Sequence, residues 1–190
     1  MDTVKTMTKY AHMVTDPMEI RYHLEKAWYL CMNGRKGPVW LDIPLDVQAA
    51  PIETEELKGF DPAEAEAKEH PVYNAKLTTE ILEKLKQAKR PVVFAGTGIR
   101  LSSAYETFLK LIDKLGIPVV TAWNAHDVLW DTHPLYCGRP GTVGTRGGNF
   151  VVQNSDLLLV LGCRLNIRQI SYNYHDFAKN AYKIVVDIDE

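Results

Sequence analysis

The feature that most constrains the fold is a short apolar run that ends in a glycine turn. Pro91–Ala95 reads Pro-Val-Val-Phe-Ala and breaks into Gly96-Thr97-Gly98, before a helical pattern begins near Ser103. A strand, a glycine turn and a helix in this order build the nucleotide-binding crevice of open α/β sheets, where backbone N–H groups face the ligand. Leu101 stands where G-x-G-x-x-G has its third glycine, so a plain strand-to-helix turn that binds nothing stays open.

Three further apolar runs, separated by helical patterns, extend this unit into a sheet. They cover residues 117–121, 156–161 and 183–187. Strands that are apolar throughout and alternate with helices indicate a parallel sheet that is covered on each side. The predicted fold class is therefore α/β, an open parallel sheet with helices on both faces, of the Rossmann-like or DHS-like nucleotide-binding type.

Capping patterns predict where three helices begin. Asp16 with Glu19 starts the first, Thr78-Thr79 introduces the second, and Ser103 with Glu106 forms a capping box for the third. A short helix is expected over 149–154, and residues 1–15 are expected to be extended. One face of the first helix should be buried by residues at helical spacing, namely Ile20, Leu24, Ala27, Trp28 and Cys31.

A change in composition divides the chain. Residues 51–73 hold three prolines and six glutamates without a strong period, which is typical of a polar linker. The predicted domains are therefore 1–50 and 74–190, on either side of the linker 51–73.

Composition excludes several classes of function. The net charge is −2 over 190 residues, so neither nucleic acid nor an acidic membrane surface is an expected partner. No apolar run approaches the roughly 18 residues of a membrane span. Three widely spaced cysteines fit buried thiols in a reducing cytoplasm, the expected location. The six histidines show no H-x-x-x-H pair, so no metal site of the chain's own is expected.

The chemistry is expected at the strand ends, because ligands of open parallel sheets bind beyond the carboxyl ends of the strands. Glycines permit close backbone approach, and Thr97 and Thr121 offer hydroxyls. Arg164 and Arg168 suit phosphates, and Asp187 suits ribose hydroxyls. The alternative is that the arginines are surface cations and that Asp187 caps a following helix.

A glycine-rich loop at 138–148 carries five glycines with Arg139 and Arg146. It suits a long anionic ligand, and a mobile surface loop is the alternative. Trp123, Trp130 and Tyr136 are expected to pack rather than stack on a ring. Three histidines have no assigned role, namely His126, His133 and His175.

These motifs, in this order, resemble the middle of thiamine-diphosphate-dependent enzymes of the acetolactate synthase group. Residues 34–47 resemble the family's G-R-P-G-P-V-x-x-D-I-P-x-D-V, and 133–158 its H-P-L…G…G…G-T…N…Q…D-L-L. Residues 162–168 are similar to G-A-R-F-D-D-R, and 184–189 to the closing D-I-D strand. The chain departs from the family at Gly96-Thr97-Gly98, which replaces G-G-G, and at Thr142-Val143 and Asn166-Ile167, which replace M-H and D-D.

The resemblance implies that 1–50 are the C-terminal piece of the pyrimidine-binding domain, and that 74–190 are most of a central domain with a six-stranded parallel sheet. In the acetolactate synthase branch that domain holds FAD, which has a structural role; related branches hold another nucleotide or none. The FAD contacts carried over from the family are Arg35, Gly96, Thr97, Gly98, Thr121, Ala122, Trp123, Gly141, Thr142, Gly162, Arg164, Asn166, Arg168 and Asp187.

The same resemblance implies an enzyme of branched-chain amino acid biosynthesis that decarboxylates pyruvate and joins the product to a second 2-keto acid. Thiamine diphosphate and Mg²⁺ would bind mainly outside this chain, in a homodimer or homotetramer with a small regulatory subunit. The family's activating glutamate and its G-D-G…N motif do not occur in 1–190. The chain is therefore expected to be a piece of a larger enzyme, without catalytic residues of its own. The alternatives are another thiamine-diphosphate decarboxylase, oxidase or carboligase, and a stand-alone nucleotide-binding module.

Overall fold

A computed structural model of the chain describes residues 1–65 and 74–188. The chain forms two compact units, Met1–Val72 and Tyr73–Glu190. The predicted linker, 51–73, is described as far as residue 65 and contains two short 3₁₀ turns there, Thr54–Glu56 and Pro62–Glu64. Its remaining residues, 66–73, lie outside the described part of the chain.

The first unit pairs two parallel strands beside a helix. Its elements are α1 Asp2–Lys5, β1 Tyr10–Met13, α2 Ile20–Met32, β2 Val39–Asp42 and α3 Leu45–Ala49. Tyr10 lies opposite Val39 in the register of β1 and β2. The segment 1–15 is therefore only partly extended, because it also contains α1. A 3₁₀ turn, Pro17–Glu19, leads into α2, and the Asp16 carboxylate caps it by accepting the N–H of Met18 at 2.9 Å.

The buried face of α2 differs from the predicted one. Leu24 is 50% exposed and Trp28 is 70% exposed, whereas His23 and Ala27 are buried. Both buried positions lie on the helix side that packs on β1 and β2. The prediction is confirmed for Ala27 and wrong for Leu24 and Trp28, because it counted only apolar residues and an inward-facing position is taken by His23.

The second unit is a four-stranded parallel sheet with helices between the strands. Its elements are α4 Ala75–Gln87, β3 Pro91–Ala95, α5 Gly98–Leu101, α6 Tyr105–Leu115, β4 Val119–Thr121, α7 Arg146–Gln153, β5 Leu157–Leu161, α8 Ile167–Ile170 and β6 Tyr182–Val186. The strand order is β4-β3-β5-β6, and all neighbours are parallel. This confirms the α/β prediction. Of the six strands that the resemblance implies, the described residues of this unit contain four.

The core of this unit lies on β3, β4 and β5. Phe94, Val120 and Val160 are fully buried, and Phe108 and Ile112 of α6 pack in the same cluster. The edge strand β6 is different, since Val185 and Val186 are about half exposed. The prediction of strands covered on both faces is thus confirmed for β3, β4 and β5 and wrong for β6.

Three helices of this unit begin differently from the prediction: α4 and α7 begin earlier, and α6 lacks the predicted cap. Asn74 caps α4 by accepting the N–H groups of Lys76 and Leu77 at 3.0 and 3.2 Å, four residues before the predicted start. No side chain caps α6, and Ser103 has a φ of 59°. Thr145 accepts the N–H of Gly148 at 3.1 Å, so α7 begins three residues before 149.

Residues 135–138 run along the outer edge of β4. The Val119 N–H donates to the Leu135 carbonyl at 2.8 Å, and the Cys137 N–H donates back to the Val119 carbonyl at 2.8 Å. The Thr121 N–H donates to the Gly138 carbonyl at 3.2 Å. These bonds hold the start of the glycine-rich loop against the carboxyl end of β4. Within the described ranges, the helices are too short or too polar to cross a bilayer.

Candidate cofactor-binding site

The carboxyl ends of β3 and β5 mark the topological switch point of the sheet. From β3 the chain moves to β4 on one side, and it then crosses to β5 on the other side. Right-handed crossovers in opposite directions place their helices on opposite faces, which opens a crevice beyond the strand ends. The segments that follow β3, β4 and β5 should therefore line any ligand site of this unit.

The glycine turns after β3 and β5 interlock. The Gly96 N–H donates to the Leu161 carbonyl at 2.9 Å, and the Gly98 N–H donates to the Gly162 carbonyl at 2.9 Å. A methyl group on Gly98 would lie 2.6 Å from the Gly162 Cα, and one on Gly96 would overlap the Gly162 carbonyl oxygen. Packing of one turn on the other therefore accounts for these glycines. The N–H groups of Gly96 and Gly98 are thus bound to carbonyls at the end of β5, whereas the expectation was that such N–H groups face a ligand.

The segment after β4 combines a buried hydroxyl with an exposed ring. Thr121 is fully buried, and its Oγ1 has no hydrogen-bond partner among the described residues. Ala122 is also buried, and its N–H donates to the Ala95 carbonyl at 2.8 Å. Trp123 is 54% exposed, so the prediction that it packs is only half met. Thr97, after β3, is partly buried and forms no side-chain cap on α5.

A small cleft that is open to solvent lies beside these strand ends. Its lining comes from the segments after β4 and β5, namely Trp123, Arg139, Pro140, Gly141, Thr142, Val143, Gly144 and Arg168. Four of these residues were predicted as FAD contacts: Trp123, Gly141, Thr142 and Arg168. The structure thus brings together one part of the predicted set, on the loop and helix α8.

Backbone hydrogen bonds fasten the glycine-rich loop to α8. The Thr142 N–H and hydroxyl both donate to the Arg168 carbonyl, at 2.9 and 3.2 Å. The Gly141 N–H donates to Asn149 Oδ1 at 2.9 Å, and Asn149 Nδ2 donates to the Gly141 carbonyl at 3.2 Å. Gly141 has a φ of 129°, and a Cβ there would lie 2.6 Å from the Arg168 carbonyl oxygen. The cleft wall is therefore ordered by its own contacts.

The cleft presents positive charge. Arg139 and Arg168 line it, and no carboxylate stands among its lining residues. The Arg139 guanidinium donates to His126 Nδ1, which fixes the proton of a neutral His126 on Nε2. The Arg168 guanidinium makes no hydrogen bond or ion pair to the described residues. Such an arrangement attracts an anionic ligand.

Other predicted residues have structural tasks or lie elsewhere. Asn166 Oδ1 accepts the N–H of Arg168 at 2.9 Å and so caps α8. Arg164 is exposed and does not line the cleft. Asp187 follows β6, and its Oδ1 accepts the N–H of Ile188 at 2.8 Å. Arg35 belongs to the first unit, where its carbonyl accepts a hydrogen bond from Lys9 Nζ at 2.8 Å.

Gln169 was not among the predicted site residues. This side chain is 4% exposed, and its Nε2 has no partner among the described residues. Its Oε1 accepts a hydrogen bond from the Cys163 thiol at 3.3 Å. The only sequence signal for Gln169 is its position next to Arg168. The two guanidinium groups of the cleft, with no carboxylate in its lining, fit a polar anionic cofactor such as FAD. The unpaired donors of Thr121 and Gln169 are buried and do not line the cleft.

Comparison with known proteins agrees with this architecture. The family model described as "Thiamine pyrophosphate enzyme, central domain" matches residues 78–190. The chain is 35% identical to the acetolactate synthase isozyme 1 large subunit of Escherichia coli (strain K12), over 96% of the chain and 31% of that protein. It is 34% identical to the acetolactate synthase large subunit of Corynebacterium glutamicum, over 96% of the chain and 29% of that protein.

A probable acetolactate synthase large subunit of Methanococcus aeolicus is 32% identical, over 96% of the chain and 31% of its own length. The chain therefore spans about a third of the length of the curated relatives that it matches. Since the family match covers more than half of the chain and coincides with the four-stranded unit, the chain belongs to the thiamine pyrophosphate enzymes and carries their central domain.

Proposed function

We propose that this chain is the central part of an acetolactate synthase-like enzyme, and that the cleft of its second unit binds FAD. In this proposal residues 1–50 end the pyrimidine-binding domain, 51–73 are a linker and 74–190 form the central domain. One observation carries the proposal: two arginines, with no carboxylate in the lining, line a cleft formed by the segments that follow β4 and β5. The names of the relatives add the activity.

The residues of the cleft have distinct tasks in this proposal. Arg168 and Arg139 bind the diphosphate of the cofactor, since guanidinium groups match phosphate oxygens in charge and geometry. Trp123 presents an exposed ring face to the planar part of the ligand. We include the buried Thr121 hydroxyl and Gln169 amide as further donors to the cofactor, because neither has a partner among the described residues. FAD bound in this cleft has a structural role in the domain.

The activity that we propose for the intact protein is decarboxylation of pyruvate and ligation of the product to a second 2-keto acid. Thiamine diphosphate and Mg²⁺ bind mainly to residues outside 1–190, and the protein assembles as a homodimer or homotetramer with a small regulatory subunit. The present residues hold the cofactor and contribute no catalytic group.

The first test uses the intact protein that contains this chain. We expect stoichiometric FAD in its absorbance spectrum, and acetolactate from pyruvate once thiamine diphosphate and Mg²⁺ are added. Acetolactate without any bound FAD would overturn the cofactor assignment. Bound FAD without acetolactate or acetohydroxybutyrate would overturn the activity, and release of carbon dioxide alone would identify a decarboxylase.

The second test addresses the cleft. Arg168→Ala should raise the Kd for FAD at least tenfold, which corresponds to about 1.4 kcal/mol. Lys110→Ala removes one exposed positive charge from α6, away from the cleft, and is the matched control. An equal loss of FAD affinity in both variants would show that the effect is one of net charge alone.

A further inference from the structure

Three potential metal ligands meet in the first unit. His12 lies on β1, Glu19 ends the 3₁₀ turn, and His23 lies one helical turn later on α2. One ligand atom of each side chain lies within 4.8 Å of the other two. We propose that His12, Glu19 and His23 bind a divalent transition-metal ion, Zn²⁺ in particular.

The spacing of the best-placed pair suits tetrahedral zinc. Glu19 Oε2 and His23 Nε2 are 3.4 Å apart. Bonds of about 2.0–2.1 Å to an ion at the tetrahedral angle separate two ligand atoms by about 3.4 Å. The separation of these two atoms therefore matches that of two ligands on one ion. The spacing i, i+4 keeps both side chains on one face of the helical segment.

The other nitrogen of His23 is already oriented. His23 Nδ1 lies 2.6 Å from the Tyr10 hydroxyl, and the ring is only 6% exposed. When Nδ1–H donates to the Tyr10 oxygen, the lone pair of Nε2 points toward Glu19. Histidine ligands of metal ions characteristically donate their second N–H to such a partner, which fixes the tautomer and the ring.

His12 supplies the third ligand and requires a rotation. Its ring stacks on that of His23 with centroids 3.8 Å apart and an angle of 21° between the planes. Stacked rings direct their lone pairs side by side, so His12 must turn about its side-chain bonds to reach a shared ion. The side chain is only partly buried, which leaves room for that turn. The Glu19 side chain is 59% exposed and keeps the site open to a water molecule as fourth ligand.

The ligand set decides the class of ion. Two imidazoles and one carboxylate suit Zn²⁺ and its neighbours, whereas Mg²⁺ and Ca²⁺ prefer sites built of oxygen. Lys26 is the nearby cation that opposes binding. Its ammonium donates to the Tyr22 hydroxyl at 3.2 Å and lies 5.4 Å from the centre of the Tyr10 ring. These contacts hold the ammonium group of Lys26 against Tyr22 and Tyr10 instead of against the three metal-ligand side chains. This inference is independent of the proposed function, because the site lies in the other unit.

The test measures Zn²⁺ binding by the intact protein in competition with a chromophoric chelator. Saturating Mg²⁺ and thiamine diphosphate are present, so that any site for hard cations is occupied. We expect one Zn²⁺ per chain, and at least tenfold weaker binding for Glu19→Gln and for His12→Asn. His175→Asn removes an exposed imidazole from the second unit and should bind Zn²⁺ like the parent protein.

Both test residues lie at the surface or only partly below it, so their replacement should leave the fold intact, which the circular dichroism spectrum checks. Co²⁺ gives a second readout, since tetrahedral Co²⁺ absorbs visible light far more strongly than octahedral Co²⁺. A strong visible band in the parent protein that Glu19→Gln loses supports the site. No stoichiometric Zn²⁺, equal affinity in all variants, or a weak octahedral spectrum would each overturn it.

Discussion

The Gly98 N–H donates to the Gly162 carbonyl across 2.9 Å and so joins the turns that follow β3 and β5. Two neighbouring strands thus exchange a backbone bond beyond the end of their ladder. The space between these two turns is consequently filled by protein backbone, and the cleft proposed for the cofactor lies on the loop side, where Arg139 and Arg168 line it.

Replacement of Gly98 should destabilise the protein. In Gly98→Ala the new methyl group would lie 2.6 Å from the Gly162 Cα, which is backbone and has little freedom to move. We expect the free energy of unfolding to fall by about 1–3 kcal/mol, as for other overpacked sites. Urea unfolding measures this change. Gly147→Ala is the control, because its Cβ meets only the Cys137 carbonyl oxygen, at 3.2 Å. Equal stability of Gly98→Ala and the parent would contradict the interlocked turns.

Replacement of Thr121 should separate stability from cofactor binding. Thr121→Val removes a buried hydroxyl that has no partner among the described residues. The FAD-free protein should gain about 1 kcal/mol, because an unsatisfied polar group is no longer desolvated. FAD affinity should fall, since the hydroxyl is one of the proposed donors. Thermal unfolding with and without FAD measures both effects. A loss of stability in the FAD-free protein would show that the hydroxyl has a partner.

Asp156 should contribute to stability at neutral pH and less in acid. Its carboxylate accepts the N–H groups of Lys89 at 2.7 Å and Arg90 at 2.8 Å. Desolvation alone would raise the pKa of Asp156, but these bonds and the charge of Arg90 outweigh it and lower the pKa below its ordinary value. The stabilisation is therefore complete above the ordinary pKa and is lost as pH falls through the lowered value.

In Asp156→Asn the dependence of Tm on pH below about 5 should become flatter, with a lower Tm at neutral pH. Asp131→Asn is the control, because Asp131 is exposed and makes no hydrogen bond or ion pair to the described residues. If Tm falls with decreasing pH in Asp156→Asn as it does in the parent protein, the role of this carboxylate is refuted.

Cys163 should resist thiol reagents in the folded protein. Burial raises the pKa of the Cys163 thiol, and the nearby charge of Asp187 raises it further, although a hydrogen bond from the Leu165 backbone opposes the rise. Because the thiolate is the reactive species, labelling should be at least tenfold slower than in urea. The rate should keep rising with pH above about 8.5, the ordinary thiol pKa. Mass spectrometry of labelled peptides measures the labelling rate of Cys163. Fast labelling at neutral pH would contradict the buried position.

The strands were predictable from sequence because their signal is local. A run such as Pro91–Ala95, apolar throughout and bounded by polar residues, suits only a strand covered on both faces. Helix starts were less predictable, because a cap depends on backbone conformation as well as on residue type. Ser103 matches a capping pattern, but its φ of 59° belongs to a turn and not to an N-cap.

The candidate site was only partly predictable, since a glycine does not reveal what approaches it. Gly96 and Gly98 are typical of a phosphate loop, and in the structure the neighbouring turn occupies that space. Gln169 carries no motif, and its unpaired amide appears only once α8 is folded. The H-x-x-x-H pattern detects only histidine pairs on one helix. His12 lies on a strand and His23 on a helix, so that pattern does not detect them.

The segment 135–138 on the outer edge of β4 has a consequence for association between molecules. An uncovered strand edge offers N–H and C=O groups to a foreign strand, and this is a common route to aggregation. Here the Val119 N–H and C=O are already taken by Leu135 and Cys137. Intermolecular strand addition is therefore blocked at β4, along the edge that this segment covers.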